Sequence, residues 1–247
     1  MKAVVYERYG PPEVLTFKDL ATPTPKDNEV RIRVRATTVT SGDWRVRSLN
    51  VPAGFGPIAR LALGISRPRR PILGSELAGD VESVGMDVRK FQVGDQVFAF
   101  SGTGLGCHAE YKCMPESGAV ALKPANLSYD EAASLSFGGT TAMSFFRRGK
   151  LQSGERVLIN GASGGVGTAA VQLAKHFGAE VTGVCSTANV ELVRSLGADH
   201  VIDYTREDFT RDGRTYDVIV DTAGTASFSR CSAGGASLPP TIRDSLF

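Results

Sequence analysis

The chain is 247 residues long, 42% hydrophobic and 22% charged, with a net charge of +2. That length holds one large domain or two modest ones, and the balance is that of a soluble globular protein. It excludes strong attraction to nucleic acid or an anionic membrane, and no apolar run approaches a membrane span.

The start, MKAVVYERYG, carries no apolar signal segment. Cys107, Cys113, Cys185 and Cys231 lack secreted disulfide spacing, so reduced thiols in a cytoplasm are expected. Up to about Leu151 the sequence reads as short strands punctuated by turns: Lys2–Tyr6, Glu29–Thr40, Leu77–Val84, Gln96–Phe100, Ala109–Met114 and Ala119–Leu122. In Glu29–Thr40 the alternation sends Ile32, Val34 and Ala36 to one face and Arg31, Arg33 and Arg35 to the other. The arginine row is expected to be a solvated sheet face rather than an anion site. Asn50–Pro71, rich in Pro, Gly and Arg, reads as a long surface loop. No internal repeat is evident.

Ser128-Tyr129-Asp130-Glu131 fits a capping box and starts a linking helix. Strand and helix then alternate: Val157–Ile159, Val166–Phe177, Glu180–Cys185, Val190–Leu196, His200–Ile202 and Asp217–Val220, with Gly178 and Gly197 at helix stops. This order predicts a parallel, doubly wound sheet.

Between its first strand and first helix lies NGASGGVG, Asn160–Gly167. In that place backbone amides and the helix dipole can hold a dinucleotide pyrophosphate. Gly161 permits the tight turn, Gly164 and Gly165 admit phosphates to the backbone, and Gly167 lets helix pack on strand. A glycine turn without a ligand is the bland alternative. Strand, loop, helix and strand in this order favour the nucleotide.

Gly154-Glu155-Arg156-Val157-Leu158, then Ala162-Ser163-Gly164-Gly165-Val166-Gly167, then Gln172 and Lys175, together resemble the quinone oxidoreductase or zeta-crystallin branch of the medium-chain dehydrogenase/reductases. KAVVYERYGPPEVL, PILGSELAGDVESVG, FQVGDQVFAF, CHAEY and FGGTTA resemble further blocks of that family, in family order, and the likeness runs from Met1 to about Thr225. It implies an α/β chain: a GroES-like β-rich catalytic domain at 1–127, then a Rossmann-type nucleotide domain at 128–225 whose sheet is incomplete at its C-terminal end. The short-chain dehydrogenases share the loop spelling, but they place it at the chain start with a later Tyr-x-x-x-Lys pair, which is absent here.

The resemblance carries expectations about chemistry. Where zinc-using relatives have Cys and His, this chain has Thr40 in VTSGD and Ser75 in GSE, so no metal is expected. Cys107, His108 and Cys113 in CHAEYKC do not replace it, because 107 and 108 would point to opposite faces of a strand. Hydride transfer to an electrophilic quinone or α,β-unsaturated carbonyl follows, with Thr40 and Asp43 near the acceptor and Thr141 near the nicotinamide. Orientation of donor and acceptor carries most of the catalysis, and the proton comes from solvent or a hydroxyl. His108, His176 and His200 are expected to be ordinary packing or surface residues.

The cofactor set is Gly161, Ser163, Gly164, Gly165, Val166 and Gly167 in the loop, with Ser186, Thr187 and Asn189 after the second strand. That second turn has no acid to repel a 2′-phosphate, and Ala188 stands where relatives carry Arg or Lys, so NADPH is the preference and NADH is possible. Tyr204 matches a family position at the adenosine end, or else covers the sheet boundary. Residues 226–247 show no strand period and contain a Pro pair, so they read as a frameshifted or prematurely ended tail, and the usual homodimer contact is not expected. Two function classes stay open: a zinc-free NADPH-dependent reductase, and a truncated relative that binds nucleotide with little or no turnover.

Overall fold

The computed structural model describes residues 1–51, 54–211 and 213–226. The chain forms two compact units, Met1–Ser136 and Phe137–Phe247.

The first unit is built on an antiparallel sheet. Its strands are β3 (Glu29–Thr37), β4 (Glu76–Val84), β5 (Gln96–Phe100), β6 (Tyr111–Pro115) and β7 (Ala119–Leu122), in the order β6-β3-β4-β5-β7. A separate hairpin pairs β1 (Lys2–Tyr6) with β2 (Leu15–Asp19). Alternation in β3 works as expected: Val30 and Ile32 are fully buried with Leu77, Val81 and Val97. The arginine row faces outward and pairs along the sheet, Arg31 with Glu82 and Arg35 with Asp80, each at 2.7 Å. It is a solvated, charge-balanced face.

Two short helices depart from the sequence reading. β3 ends at Thr37, and Thr40 caps α1 (Ser41–Ser48). Inside the expected surface loop, α2 (Gly56–Leu63) forms without burying a residue.

Helix α3 (Tyr129–Gly149) starts on the anticipated capping box: the Ser128 amide donates to Glu131 Oε2 at 2.8 Å, and the Glu131 amide to Ser128 Oγ at 3.2 Å.

Among the described residues, the second unit forms a four-stranded parallel sheet, as expected. The strands are β8 (Arg156–Asn160), β9 (Glu180–Cys185), β10 (His200–Asp203) and β11 (Val218–Asp221), in the order β10-β9-β8-β11. Helices α4 (Gly165–His176) and α5 (Val190–Ser195) make the crossovers from β8 to β9 and from β9 to β10. One sheet face presents Val157, Ile159, Val181, Val218 and Val220 to Ala170, Val171, Ala174 and Phe146. The other presents Leu158, Val184, Ile202 and Ile219 to Tyr216. Strands buried on both faces are what a parallel sheet requires. Because β11 lies on the opposite side of β8 from β9, the strand order reverses at β8, where doubly wound sheets open a ligand crevice at the carboxyl ends of their strands. The expected irregular tail, apart from Ala226, lies outside the described residues.

Candidate functional site

The glycine loop sits at that carboxyl end. Gly161 turns with φ +80°, and a β-carbon there would come within 2.7 Å of the Thr222 hydroxyl. The amides of Gly161 and Ala162 both donate to the Val184 carbonyl, at 3.1 and 2.9 Å, which binds the loop to β9. Gly167 is needed for packing: its β-carbon would stand 2.1 Å from the Gly161 carbonyl oxygen. Gly165 differs, since a β-carbon there meets nothing within 4 Å. Gly164 caps α4 with no side-chain bond to the helix amides. The first amides of a helix have no acceptor inside it, and together with the helix dipole they favour an anion. The Gly164 amide is held by the Gly161 carbonyl at 3.0 Å, so Gly165 and Val166 present the open, electropositive helix start.

Polar side chains extend this surface across β9 and β10. Asn189 donates its Nδ2 to both Ser163 and Ser186 Oγ, each at 3.2 Å, joining the loop to the turn after β9. Thr187 donates to Asp203 Oδ2 at 2.5 Å, and the Thr205 hydroxyl donates to Asp203 Oδ1 at 2.7 Å. The hydroxyls of Thr187 and Thr205 hold the Asp203 carboxyl below the usual carboxylate range. Arg206 Nε lies 3.5 Å from the same Oδ2. Tyr204 is exposed, and its amide donates to the Cys185 carbonyl at 3.0 Å. Ser163, Ser186, Thr187, Asn189 and Tyr204 are thus gathered along one edge of the sheet. The Asp203 hub was missed in the sequence; its one signal was the DYT stretch at the end of a predicted strand.

Helix α3 reaches the same place. A β-carbon on Gly138 would stand 2.4 Å from the Gly165 carbonyl oxygen, so the FGGTTA segment crosses the start of α4 at backbone contact. Thr141 follows one helical turn later and is half-buried.

In the first unit, Thr40 and Asp43 form a closed pair. Asp43 Oδ2 accepts from the Thr40 amide at 2.8 Å and the Thr40 hydroxyl at 2.9 Å, and its Oδ1 accepts from the Gly74 amide at 2.8 Å. Asp43 is 4% exposed. It is a buried brace that fixes the Thr40 hydroxyl and ties α1 to the Gly74–Ser75 turn. A second buried carboxylate, Glu76, accepts from the Thr38 hydroxyl at 2.6 Å.

These donors do not fit zinc. The Thr40 hydroxyl is committed to Asp43. Cys107 is fully buried and bonds Ser101 Oγ at 3.4 Å, and burial pushes its thiol up to about 11. His108 Nε2 faces the Thr38 carbonyl oxygen at 2.8 Å, so that nitrogen carries a proton and offers no lone pair. Both residues precede β6 rather than lying within it, so this committed bonding, not strand alternation, separates them. Among the described residues no three His, Cys, Asp or Glu side chains form a metal-sized cluster. His176 is exposed beside Phe177, and His200 pairs with Glu180 at 3.1 Å.

Comparison with known proteins agrees with both halves. Residues 26–124 match the family described as alcohol dehydrogenase GroES-like domain, and residues 165–233 match zinc-binding dehydrogenase. A chloroplast envelope quinone oxidoreductase homolog of Arabidopsis thaliana is 35% identical, over 93% of this chain and 70% of its own length. An NADPH-dependent alkenal/one oxidoreductase of the same plant is 36% identical, over 91% of this chain and 58% of its own. The quinone oxidoreductase of Coxiella burnetii superposes with a TM-score of 0.80 at 33% identity, covering 91% of this chain and 69% of that one. The chain spans 57% of the length of one curated relative that it matches and 60% of another.

Proposed function

We propose that this chain, which belongs to the quinone oxidoreductase branch of the medium-chain dehydrogenase/reductases, is an NADPH-dependent reductase of quinones or α,β-unsaturated carbonyls that works without zinc. The observation that carries the reading is the open start of α4, where Gly165 leaves its surroundings free while Gly161 and Gly167 are pressed into the turn.

In this reading the amides from Gly165 to Gly167 take the pyrophosphate, with Ser163 beside them and Gly164, whose own amide is held by the Gly161 carbonyl, letting the phosphates approach. Ser186, Thr187, Asn189 and Tyr204 receive the adenosine ribose. Thr141 lies toward the nicotinamide. When bound, the reduced nicotinamide supplies the hydride. The chain's own part is to orient and to exclude competing reactions. Asp43 has every oxygen engaged, so its role is to hold the Thr40 hydroxyl still beside the acceptor. The Thr40 hydroxyl hydrogen is held by Asp43 Oδ2, so the proton reaches the reduced acceptor from solvent. The names of the Arabidopsis relatives support a quinone or enone acceptor and NADPH as donor, with NADH as the second choice. The committed donors at Thr40, Cys107 and His108 support independence from zinc. The domain division we propose is 1–127 for the catalytic part and 128–225 for the nucleotide part. Free Cys107, Cys113 and Cys185 support a reducing compartment such as the cytoplasm.

The test is oxidation of NADPH by the purified chain with a panel of small quinones and enones, alongside calorimetric binding of NADPH and NADH. Turnover with either class supports the reductase. Dinucleotide binding without turnover limits the function to nucleotide binding, and no binding at all removes the reading.

A further inference from the structure

The turn after β9, Ser186–Asn189, contains no Lys or Arg, and neither does the glycine loop. A 2′-phosphate carries up to two negative charges, so a site that prefers NADPH needs a cation there. The sequence supplies none locally. The fold brings one from the turn after β10, Tyr204–Arg206. Thr187 Oγ1 donates to Asp203 Oδ2 at 2.5 Å, and Arg206 Nε stands 3.5 Å from that same oxygen. Two contacts therefore link the guanidinium to the ribose-facing turn.

We infer that Arg206 is the cation that this chain sets against the 2′-phosphate of NADPH, in place of the basic residue that the turn after β9 lacks. The inference rests on the NADPH-binding reading above.

Burial decides which of the two charges the ligand meets. The Asp203 side chain is 11% exposed and that of Arg206 is 75% exposed. Asp203 takes hydrogens from the Thr187 hydroxyl and from the Thr205 amide and hydroxyl. Its charge is turned inward and spent on the protein. Arg206 is turned outward, with its Nε toward Asp203. The two terminal nitrogens of a guanidinium form a planar fork that matches a phosphate bidentately. Its backbone is also set, because the Arg206 amide donates to the Asp203 carbonyl at 3.0 Å. Thus Asp203 is a positioning residue that holds the turn after β9 with one oxygen edge and steers the arginine with the same group.

The experiment compares the full chain with Arg206→Ala and Arg206→Lys by calorimetry, using NADPH, NADH, adenosine 2′,5′-bisphosphate and AMP. Arg206→Ala should weaken NADPH and the bisphosphate roughly tenfold, the size of one charge-assisted hydrogen bond, with NADH and AMP unchanged. Arg206→Lys should recover part of the loss, since it keeps the charge without the fork. The preference for the 2′-phosphate should shrink as salt is raised, because the pair is exposed. An unchanged NADPH to NADH ratio in Arg206→Ala overturns the assignment while leaving nucleotide binding intact. If the unaltered chain binds neither dinucleotide, the function proposed above falls, and this assignment with it.

Discussion

Gly138 of α3 and Gly165 at the start of α4 meet backbone to backbone: a β-carbon on the first would stand 2.4 Å from the carbonyl oxygen of the second. A carbonyl cannot yield as a flexible side chain does. Gly138→Val should therefore displace α3 or the nucleotide loop, at a cost of about 1–3 kcal/mol for overpacking. Thermal unfolding should show a lower midpoint, and NADPH titration a weaker affinity. A variant as stable and as tight-binding as the parent would show that the crossing is loose.

Gly165 and Gly167 are two residues apart and should respond oppositely. The space around Gly165 is open, whereas a β-carbon at Gly167 would meet the Gly161 carbonyl oxygen at 2.1 Å. Gly165→Val should fold with near-parental stability and lose NADPH binding, because the side chain fills the place of the phosphates. Gly167→Val should lose stability first. Calorimetry and unfolding curves on the two proteins separate these outcomes, and equal NADPH binding by Gly165→Val would remove the loop from the cofactor site.

Metal content is a separate prediction. With the Thr40 hydroxyl bonded to Asp43 and the Cys107 thiol pushed up to about 11, zinc would have to displace made bonds and deprotonate a buried thiol. Elemental analysis of purified protein should find no stoichiometric zinc, and a chelator should leave binding and turnover unchanged. One tightly held zinc per chain would contradict this.

Acid should act through Asp203. Bonds from Thr187 and then Thr205 lower its pKa in the folded chain. A lowered folded value means that the carboxylate contributes stability above its unfolded pKa of about 3.9 and loses it as the pH falls through the folded value. Asp203→Asn should therefore be less stable than the parent at neutral pH. The gap in unfolding midpoint should close only below about pH 4, the carboxylate range. A gap that closes between pH 6 and 7 would assign the effect to another group, by the reference values of side chains.

The β8-loop-α4 unit was legible because every local signal agreed: an apolar run, glycines, then helical periodicity. The capping box at Ser128 and Glu131 was legible for the same reason. Helix α1 was not, although Thr40 and Asp43 repeat that pattern with Asp in place of Glu. The β-rich run before Thr40 hid its start. Helix α2 buries no residue, so its sequence has no core-facing stripe to reveal it. The Asp203 hub joins Thr187 to a residue sixteen positions later. That contact exists only because β9 and β10 pair in parallel, with Cys185 opposite Asp203. No local spacing announces it.

Quinones and enones are electrophiles that alkylate thiolates, so a reductase of such compounds is exposed to its own substrates. Among the described residues the three cysteines are poor targets. Cys107 is fully buried, and a thiol pKa of about 11 leaves on the order of one molecule in ten thousand as the nucleophilic thiolate at neutral pH. Cys185, under the nucleotide turn, is 1% exposed, and burial followed by the charge of Asp203 raises its thiol as well. In Cys113 burial and Glu29 act in the same direction. Under the function proposed above, burial and then the Asp203 charge would hold the Cys185 thiol protonated and slow its alkylation by such acceptors.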